Sequence, residues 1–568
     1  MSRRRLHDLI VTQWCVLLAL VVALPWRGPG YVLSYDMLWL PRWDLSRDDL
    51  WGMGTAVPRA VPSDGVIAVL SQVIDPVLLQ RGVLIAALAL GGIGAARLID
   101  DAALGVRLVA GTYALWNPFV AERLLLGQWP VLVALACLPW IVVAVRDEDE
   151  PRIALLTLAL AGTALSAATG IMGLLVALVA GWRSGVLRTV LLAALVNAPW
   201  VVATVSRLEP VVSDPRGVDA FAVQPEGPLG RFGALAALGG VWNAEVVPGS
   251  RLVWTATLLV AVMWALILAG LLAWWQRDRD GLLALGALAV LGYALAAWGW
   301  VAPGSLRRLI EWQGAVALFR DGTRYLALAV PFHALALGYG AGRVGTWIAS
   351  AAGWARAGAV AAGLAVALPL AALPDLAYGV GGRLEPVTYP DGWQSAAAQV
   401  RASEVAGDLL VLPFHPYRAP AWNDGRTVID PAGRYFSRES VVSDALTVSG
   451  VTLEAEDPRV REIDDILADP AATPADLARE GIGLVLLDTE APGGQGQPAA
   501  LSGARDLGRF GTWQMWAVDG ARKVTVASEV RTAVTVAWCL AATAVGLALL
   551  AVLFGLVGRI RRVLSRQR

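Results

Sequence analysis

Long apolar runs broken by short polar stretches dominate the chain. A membrane-spanning helix needs about 20 mostly apolar residues, and by that measure the pattern predicts roughly twelve spans. The first runs from about Leu9 to Trp26 and the last from about Val530 to Val557. Others begin near Gly82, Ala102, Pro130, Ile153, Thr169, Val186, Leu252, Gly281, Tyr325 and Arg356. The runs near Ile153 and Thr169 are short, with little more than Ser166 to Gly170 between them, and predict a tight helical hairpin. Between residues 378 and 528 the texture changes to short alternating elements. A helix is expected from Trp393 to Ala402, after a Pro-Asp-Gly turn, and another from Ala475 to Glu480, opened by Pro474. Asp408 to Pro413, Gly483 to Asp488 and Trp513 to Val518 read as strands. The expected fold is therefore a polytopic α-helical membrane protein with a small extracytoplasmic α/β domain near its C-terminal end. Its segments would be a membrane domain over 1–377, the α/β domain over 378–528, and a last span with a basic cytoplasmic tail over 529–568.

Composition agrees: of 568 residues, 57% are hydrophobic and 16% charged. A soluble chain of this length needs far more charge to cover its surface. The net charge of +0 gives no global basic field for nucleic acid. The three cysteines, Cys15, Cys137 and Cys539, lie in apolar runs without metal-ligand spacing, and the 378–528 segment has none to cross-link. Arg3 to Arg5 precede the first apolar run, but Pro25 to Pro29 carry no small-x-small cleavage pattern, so a retained anchor is expected. Arginine placement sets the orientation. Arg3 to Arg5, Arg559, Arg561, Arg562, Arg566, Arg568 and the connections Arg183/Arg188, Arg277/Arg279 and Arg343/Arg356 fall on one side if the count is even. The acidic loop Arg146 to Glu150 lands there too. Both termini are then cytoplasmic, in a multi-pass protein of the cytoplasmic membrane. The loops 27–81, 207–250 and 301–323 and the 378–528 segment are then extracytoplasmic.

Ionisable groups are scarce within the predicted spans and gather at the outer boundary, whereas ion-coupled transporters place them near the midplane. Asp36 stands in the first outer loop, and Tyr35, Trp39 and Trp43 around it would desolvate a carboxylate and strengthen it as a general base. Trp116-Asn117-Pro118-Phe119 ends one helix and permits a turn. Glu122 and Arg123 follow it and, on a helix, point about 100° apart towards different partners. Gly127-Gln128-Trp129 closes the stretch. Phe319-Arg320-Asp321-Gly322-Thr323-Arg324-Tyr325 precedes a late span, after Arg307, Arg308 and Glu311 on an amphipathic helix. Paired arginines at a membrane surface suit a lipid phosphate. In the α/β segment, Pro413-Phe414-His415-Pro416-Tyr417-Arg418 follows a strand end, a common place for binding loops. Trp422-Asn423-Asp424-Gly425-Arg426 and Asp430 to Tyr435 extend this polar and aromatic cluster. His415 with Asp424 or Asp430 suggests part of a triad, yet no serine has a nucleophile-elbow context. No phosphate-binding loop and no His-Glu-x-x-His motif is present.

The first-loop acid Asp36, the Asn117 to Trp129 stretch and the Phe319 to Tyr325 stretch resemble those of the GT-C superfamily of polytopic glycosyltransferases. The similarity is to its envelope arabinosyl- and mannosyltransferase-like members and covers about two thirds of the chain. The resemblance implies a sugar donor linked to polyprenyl phosphate and an envelope glycan or lipid acceptor. It casts Asp36 as base, Arg320 and Arg324 as holders of the donor phosphate, and Tyr35, Glu122, Arg123 and Asp321 as pocket residues. His415, Trp422, Asn423, Asp424 and Arg426 would meet the acceptor. The family's catalytic loop often pairs acidic residues, whereas here Asp36 stands alone with Arg42 next. No cofactor is therefore specified, and a divalent cation is the one left open. Two other readings compete: a non-catalytic scaffold of the same fold, and a transporter or flippase of a lipid-linked precursor.

Overall fold

The computed structural model describes residues 3–146, 152–183, 185–206, 213–448, 450–494 and 496–565. Asp147 to Glu150, Arg566 and Arg568, used above for orientation, and the start of the 207–250 loop lie outside the described residues. Among the described residues, six helices are long and apolar enough to cross a membrane: Arg3–Val22, Pro76–Arg97, Val186–Val205, Trp254–Arg277, Arg279–Val301 and Ser528–Gly555. Two bent pairs raise the number to eight if each is one span, Gly322–Leu328 with Val330–Ala351 and Arg356–Ala372 with Pro374–Gly381. The chain is a multi-pass membrane protein, with fewer full-length spans among the described residues than the expected twelve.

The difference has a local cause. The stretches near Ala102, Pro130, Ile153 and Thr169 are apolar enough but form shorter helices, Leu104–Leu115, Trp129–Val145, Ile153–Thr163 and Ala167–Ala180. Pro118 cannot donate a backbone hydrogen bond and disfavours helix in the residue before it. Asn117 therefore ends one helix and caps the next, Pro118–Leu125, its side chain accepting from the Val120 amide at 3.1 Å. The expected hairpin forms, with Ser166 at its turn hydrogen-bonded to Thr169 at 2.8 Å.

Two membrane helices, Trp254–Arg277 and Val330–Ala351, approach through glycines. A Cβ on Gly270 would stand 2.0 Å from the Ala336 carbonyl oxygen, and one on Gly340 would stand 1.8 Å from that of Leu266. In lipid, helices gain by such close backbone contact because apolar burial alone gives little. This packing fixes the helix that follows the Arg320–Tyr325 loop.

The C-terminal sheet domain holds a five-stranded sheet in the order Ser440–Val441, Asp408–Leu412, Ile482–Asp488, Trp513–Ala517, Arg505–Phe510. The first three strands are parallel, and the last two complete the sheet antiparallel. Both faces are covered, so the central strands are apolar throughout. Leu409, Val411, Leu484 and Leu486 pack under Trp393, Ala396 and Val400 of the helix Asp391–Ala402. Leu410, Leu412, Val485 and Leu487 pack under Val460 and Ile463 of Pro458–Ala468 and Leu477 of Pro474–Arg479.

The loop after the first helix is the seat for this domain. Tyr31 and Val387 exchange backbone hydrogen bonds at 2.8 and 2.9 Å. The Tyr389 hydroxyl donates to the Trp39 carbonyl at 2.9 Å. Buried Arg47 donates to the carbonyls of Gly433 at 2.7 Å and Phe436 at 3.0 Å.

Gly340→Leu should force the glycine-packed helices apart, costing about 1–3 kcal/mol as overpacking does. The check is the unfolding temperature of the detergent-solubilised protein. A fall of several degrees is expected, and an unchanged value would mean that the helices do not meet there.

Candidate active site at the seam between the helices and the sheet domain

Asp36 sits on a tight turn in which the Met37 amide donates to the Ser34 carbonyl at 2.8 Å. The segment is clamped from both sides. The Asp36 amide donates to the Leu126 carbonyl at 3.0 Å, just after the helix Pro118–Leu125. The Tyr35 amide donates to the Thr427 carbonyl at 2.7 Å, and the Ile429 amide donates to the Tyr35 carbonyl at 2.8 Å. Tyr35 is held at φ +43°, where an L-residue is strained. Gly127 lies so close that a Cβ there would stand 2.1 Å from the Ser34 carbonyl oxygen.

The Asp36 side chain is exposed. The expected aromatic cage is a correction: Trp39 and Trp43 turn into the core, and the Tyr35 hydroxyl donates to Glu245. The carboxylate is held instead by two other donors. The Tyr417 hydroxyl, from the sheet domain, donates to one oxygen at 2.5 Å. The Gln128 amide donates to the other at 3.2 Å. A carboxylate has about four acceptor positions, so Asp36 keeps capacity for another hydroxyl.

Behind Gln128 a buried network leads to the Arg320–Tyr325 loop. Arg123 donates through one terminal nitrogen to Gln128 Oε1 at 2.7 Å and through the other to Thr323 Oγ1 at 2.6 Å. Thr323 donates to Asp321 at 2.9 Å, and Asp321 pairs with Arg324 at 2.8 Å. Burial alone would raise the Asp321 pKa, but the Arg324 and Arg123 guanidinium groups outweigh it and hold it below the usual value. The Asp36 charge lies near enough to favour the protonated form of Arg324, after Asp321, and of Arg123. Asp36, Arg123, Asp321 and Arg324 are thus one electrostatic unit.

Arg320 belongs to another cluster. The turns around Gly322–Leu328 send Arg320 and Arg324 to different partners, so they do not form the expected joint clamp. Arg320 lies over the Phe221 ring at 5.2 Å and donates to Glu456 of the sheet domain at 2.6 Å. Glu456 also accepts from Arg59 at 2.6 Å and from Ser213 at 2.8 Å. Burial pushes Glu456 up, but Arg320 and Arg59 prevail and bring it down to about 2.

Glu122 faces away from this network, as adjacent helical positions require. It is buried beside Glu226, which pairs with buried Arg251 at 2.9 Å. Burial, and then the Glu226 charge, raise the Glu122 pKa well above normal. Glu122 is thus pushed towards its neutral form beside the Glu226 carboxylate, a brace next to the site.

The acceptor candidates separate. His415 is exposed and its electrostatic neighbour is Asp464, while Asp430 pairs with Arg418 and Asp424 with Arg426. The triad does not assemble. Trp422 packs on Tyr389 and Trp393, with ring centroids 5.1 and 5.6 Å apart. Asn423 is fully buried and closes its own turn by donating to the Arg426 carbonyl at 2.8 Å, so it meets no ligand. Asp424 and Arg426 line a cavity together with Tyr35. Arg59 and Glu456 carry no marker in the sequence; Tyr417 lies in the binding-loop cluster, but nothing local ties it to Asp36, 381 residues away.

Among the described residues no group of three histidines, cysteines or carboxylates gathers to hold a metal ion. Asp321, the acid in the Asp36 network, is already committed to arginines. The described residues around Asp36 thus offer no donor set for a divalent cation.

The neutral state of Glu122 is testable through stability. Glu122→Gln keeps a neutral donor of the same shape and should change stability by less than about 0.5 kcal/mol. Arg251→Met leaves buried carboxyls without their counter-charge and should cost about 3–5 kcal/mol. Thermal unfolding of both variants checks this, and equal losses would contradict it.

No family model matches the chain, and no curated protein matches it. Solved structures do. The cryo-EM structure of arabinofuranosyltransferase AftD from Mycobacteria superposes with a TM-score of 0.54 at 15% identity, covering 91% of this chain and 40% of that one. A point-mutant form of the same enzyme gives 0.55 at 16%, covering 92% and 42%. The chain thus spans about two fifths of its structural relative. Over most of its length it shares the polytopic fold of arabinofuranosyltransferase AftD.

Proposed function

We infer that the chain is a membrane glycosyltransferase that moves a sugar from a polyprenyl-phosphate donor to an envelope glycan or lipid acceptor, on the outer side of the cytoplasmic membrane. The observation that carries this reading is the exposed Asp36 carboxylate, held by Tyr417 and Gln128 and acting on Arg324, in a chain with the fold of a glycosyltransferase. The relative's name makes an arabinofuranosyl donor the first to test.

Asp36 acts as the base. It takes the proton of the acceptor hydroxyl as that oxygen bonds to the anomeric carbon. The bond from that carbon to the phosphate oxygen breaks, and the phosphate leaves with the electron pair. The sugar passes through a state of oxocarbenium character. Arg324 meets the phosphate, and Arg123 adds positive potential from behind; preorganised cations at a developing charge are worth most where water is scarce. Tyr417 and Gln128 orient the base. Arg320 and Arg59 act through Glu456, fixing the sheet domain over the site. The lipid chain lies along the apolar helices.

Asp36→Asn keeps the shape and removes the base. Transfer of labelled arabinofuranose from a polyprenyl-phosphate donor in membranes should fall at least about 100-fold, the scale of general base catalysis, with the unfolding temperature unchanged. Full activity in this variant would remove Asp36 as the base, whereas no transfer by the wild-type chain would return it to the scaffold or transporter reading. Tyr417→Phe removes one donor to Asp36 and should lower kcat about tenfold, which is about 1.4 kcal/mol. Its KM for the donor should stay as in the wild type; a change in KM alone would remove Tyr417 from the positioning role.

A further inference from the structure

A cavity of about 480 Å³ opens beside the Asp36 turn, bordered by Tyr35, Glu245, Arg383, Glu385, Asp424 and Arg426. That volume is within the range of small-molecule sites. Five separate segments build it: Ser34 and Tyr35, Leu125, the 245–246 turn, the 382–385 loop and the 424–427 turn of the sheet domain. Hydrogen bonds lock these together. Arg426 donates to the Arg383 carbonyl at 3.1 Å, and Arg383 reaches the carbonyls of Glu245 and Val247. The Tyr35 ring stands in the wall, tied to Glu245 through its hydroxyl.

We propose that this cavity is the subsite for a neutral, polyhydroxylated acceptor glycan. The proposal rests on the glycosyltransferase reading of Asp36. The lining chemistry selects the ligand class. Carboxylates outnumber guanidinium groups here, so a phosphate is repelled. The many charges make the wall unfit for a prenyl chain. Vicinal hydroxyls suit it: each pair can donate to both oxygens of one carboxylate and accept from a guanidinium edge. The Glu385 and Asp424 side chains are exposed and line the cavity, Asp424 with Arg426 beside it. An aromatic ring such as Tyr35 supplies the flat apolar contact for a sugar face.

Position adds to chemistry. Ser34 and Tyr35 line the cavity, and Asp36 is the next residue. The Tyr35 ring lies 6.2 Å from that of Tyr417, whose hydroxyl holds Asp36. None of Arg59, Arg123, Arg320 and Arg324 lines the cavity. The cavity thus adjoins the turn that carries Asp36, and its lining is separate from those arginines. A glycan seated in the cavity presents its terminal hydroxyl at Asp36 without meeting the donor phosphate.

The test measures binding of a soluble tetra-arabinofuranoside, and separately of a mannopyranoside tetramer, to the full chain in detergent by calorimetry. Wild type should bind at least one of them. Glu385→Gln combined with Asp424→Asn should weaken that binding at least tenfold, and Glu385→Trp, which fills the cavity, should abolish it. Absence of binding by the wild type, or unchanged affinity in both cavity variants, overturns the proposal. The two readings fail separately: transfer by Asp36→Asn would remove the catalytic role of Asp36, whereas the cavity stands or falls on glycan affinity alone.

Discussion

The hydrogen bond from Tyr417 to Asp36 joins parts of the chain 381 residues apart, and the arrangement of the site depends on it. Asp36 belongs to the loop that follows the first membrane helix, Tyr417 to the sheet domain. Neither can be placed without the surface between them. Arg47 buried under the 433–436 turn, Tyr389 on Trp39, and the backbone bridges at Tyr31 and Tyr35 make that surface. Glu456 adds the charged part, drawing Arg59 and Arg320 onto one carboxylate. Such a pair tolerates poor loss of either partner, because the remaining charge is left in a partly dry place.

Below the seam, the helices hold the charges in a fixed order. Gln128, Arg123, Thr323, Asp321 and Arg324 are each held by the next, so the cationic face opposite Asp36 is set before any ligand arrives. Preorganisation of this kind avoids reorganisation during reaction. The glycine contact between Trp254–Arg277 and Val330–Ala351 is part of the same frame, since the second helix begins where the Arg324 turn ends.

Much of the fold was legible because its signals are local. The Asn117-Pro118 break, the Ser166 hairpin and the central strands around Leu410 and Val485 follow from proline chemistry, a polar turn and apolar runs of strand length. The number of spans was not, because apolar content does not reveal length: Leu104–Leu115 and Ile153–Thr163 are hydrophobic enough but stop early. Asp36 was marked by its place in the chain, and its link to Arg324 by charge type. Its surroundings were misread, since Trp39 and Trp43 are near in sequence yet point into the core. Arg320 and Arg324 look like one clamp along the chain, but a tight turn separates their directions. Arg59 and Glu456 act only through tertiary contacts, which no local pattern announces, and the marked cluster around Tyr417 did not reveal its reach to Asp36. Asn423 looked like a surface ligand and is a buried turn residue.

The central claim is that Asp36 and Arg324 face a donor phosphate and its sugar across one site. A cryo-EM structure of the chain with a non-cleavable polyprenyl-phosphonate sugar tests it most directly. The account predicts the phosphonate against Arg324, the anomeric carbon on the side of Asp36, and Tyr417 still bonded to that carboxylate. Phosphonate density on another face of the helices, with the Asp36 site occupied by water alone, would contradict it.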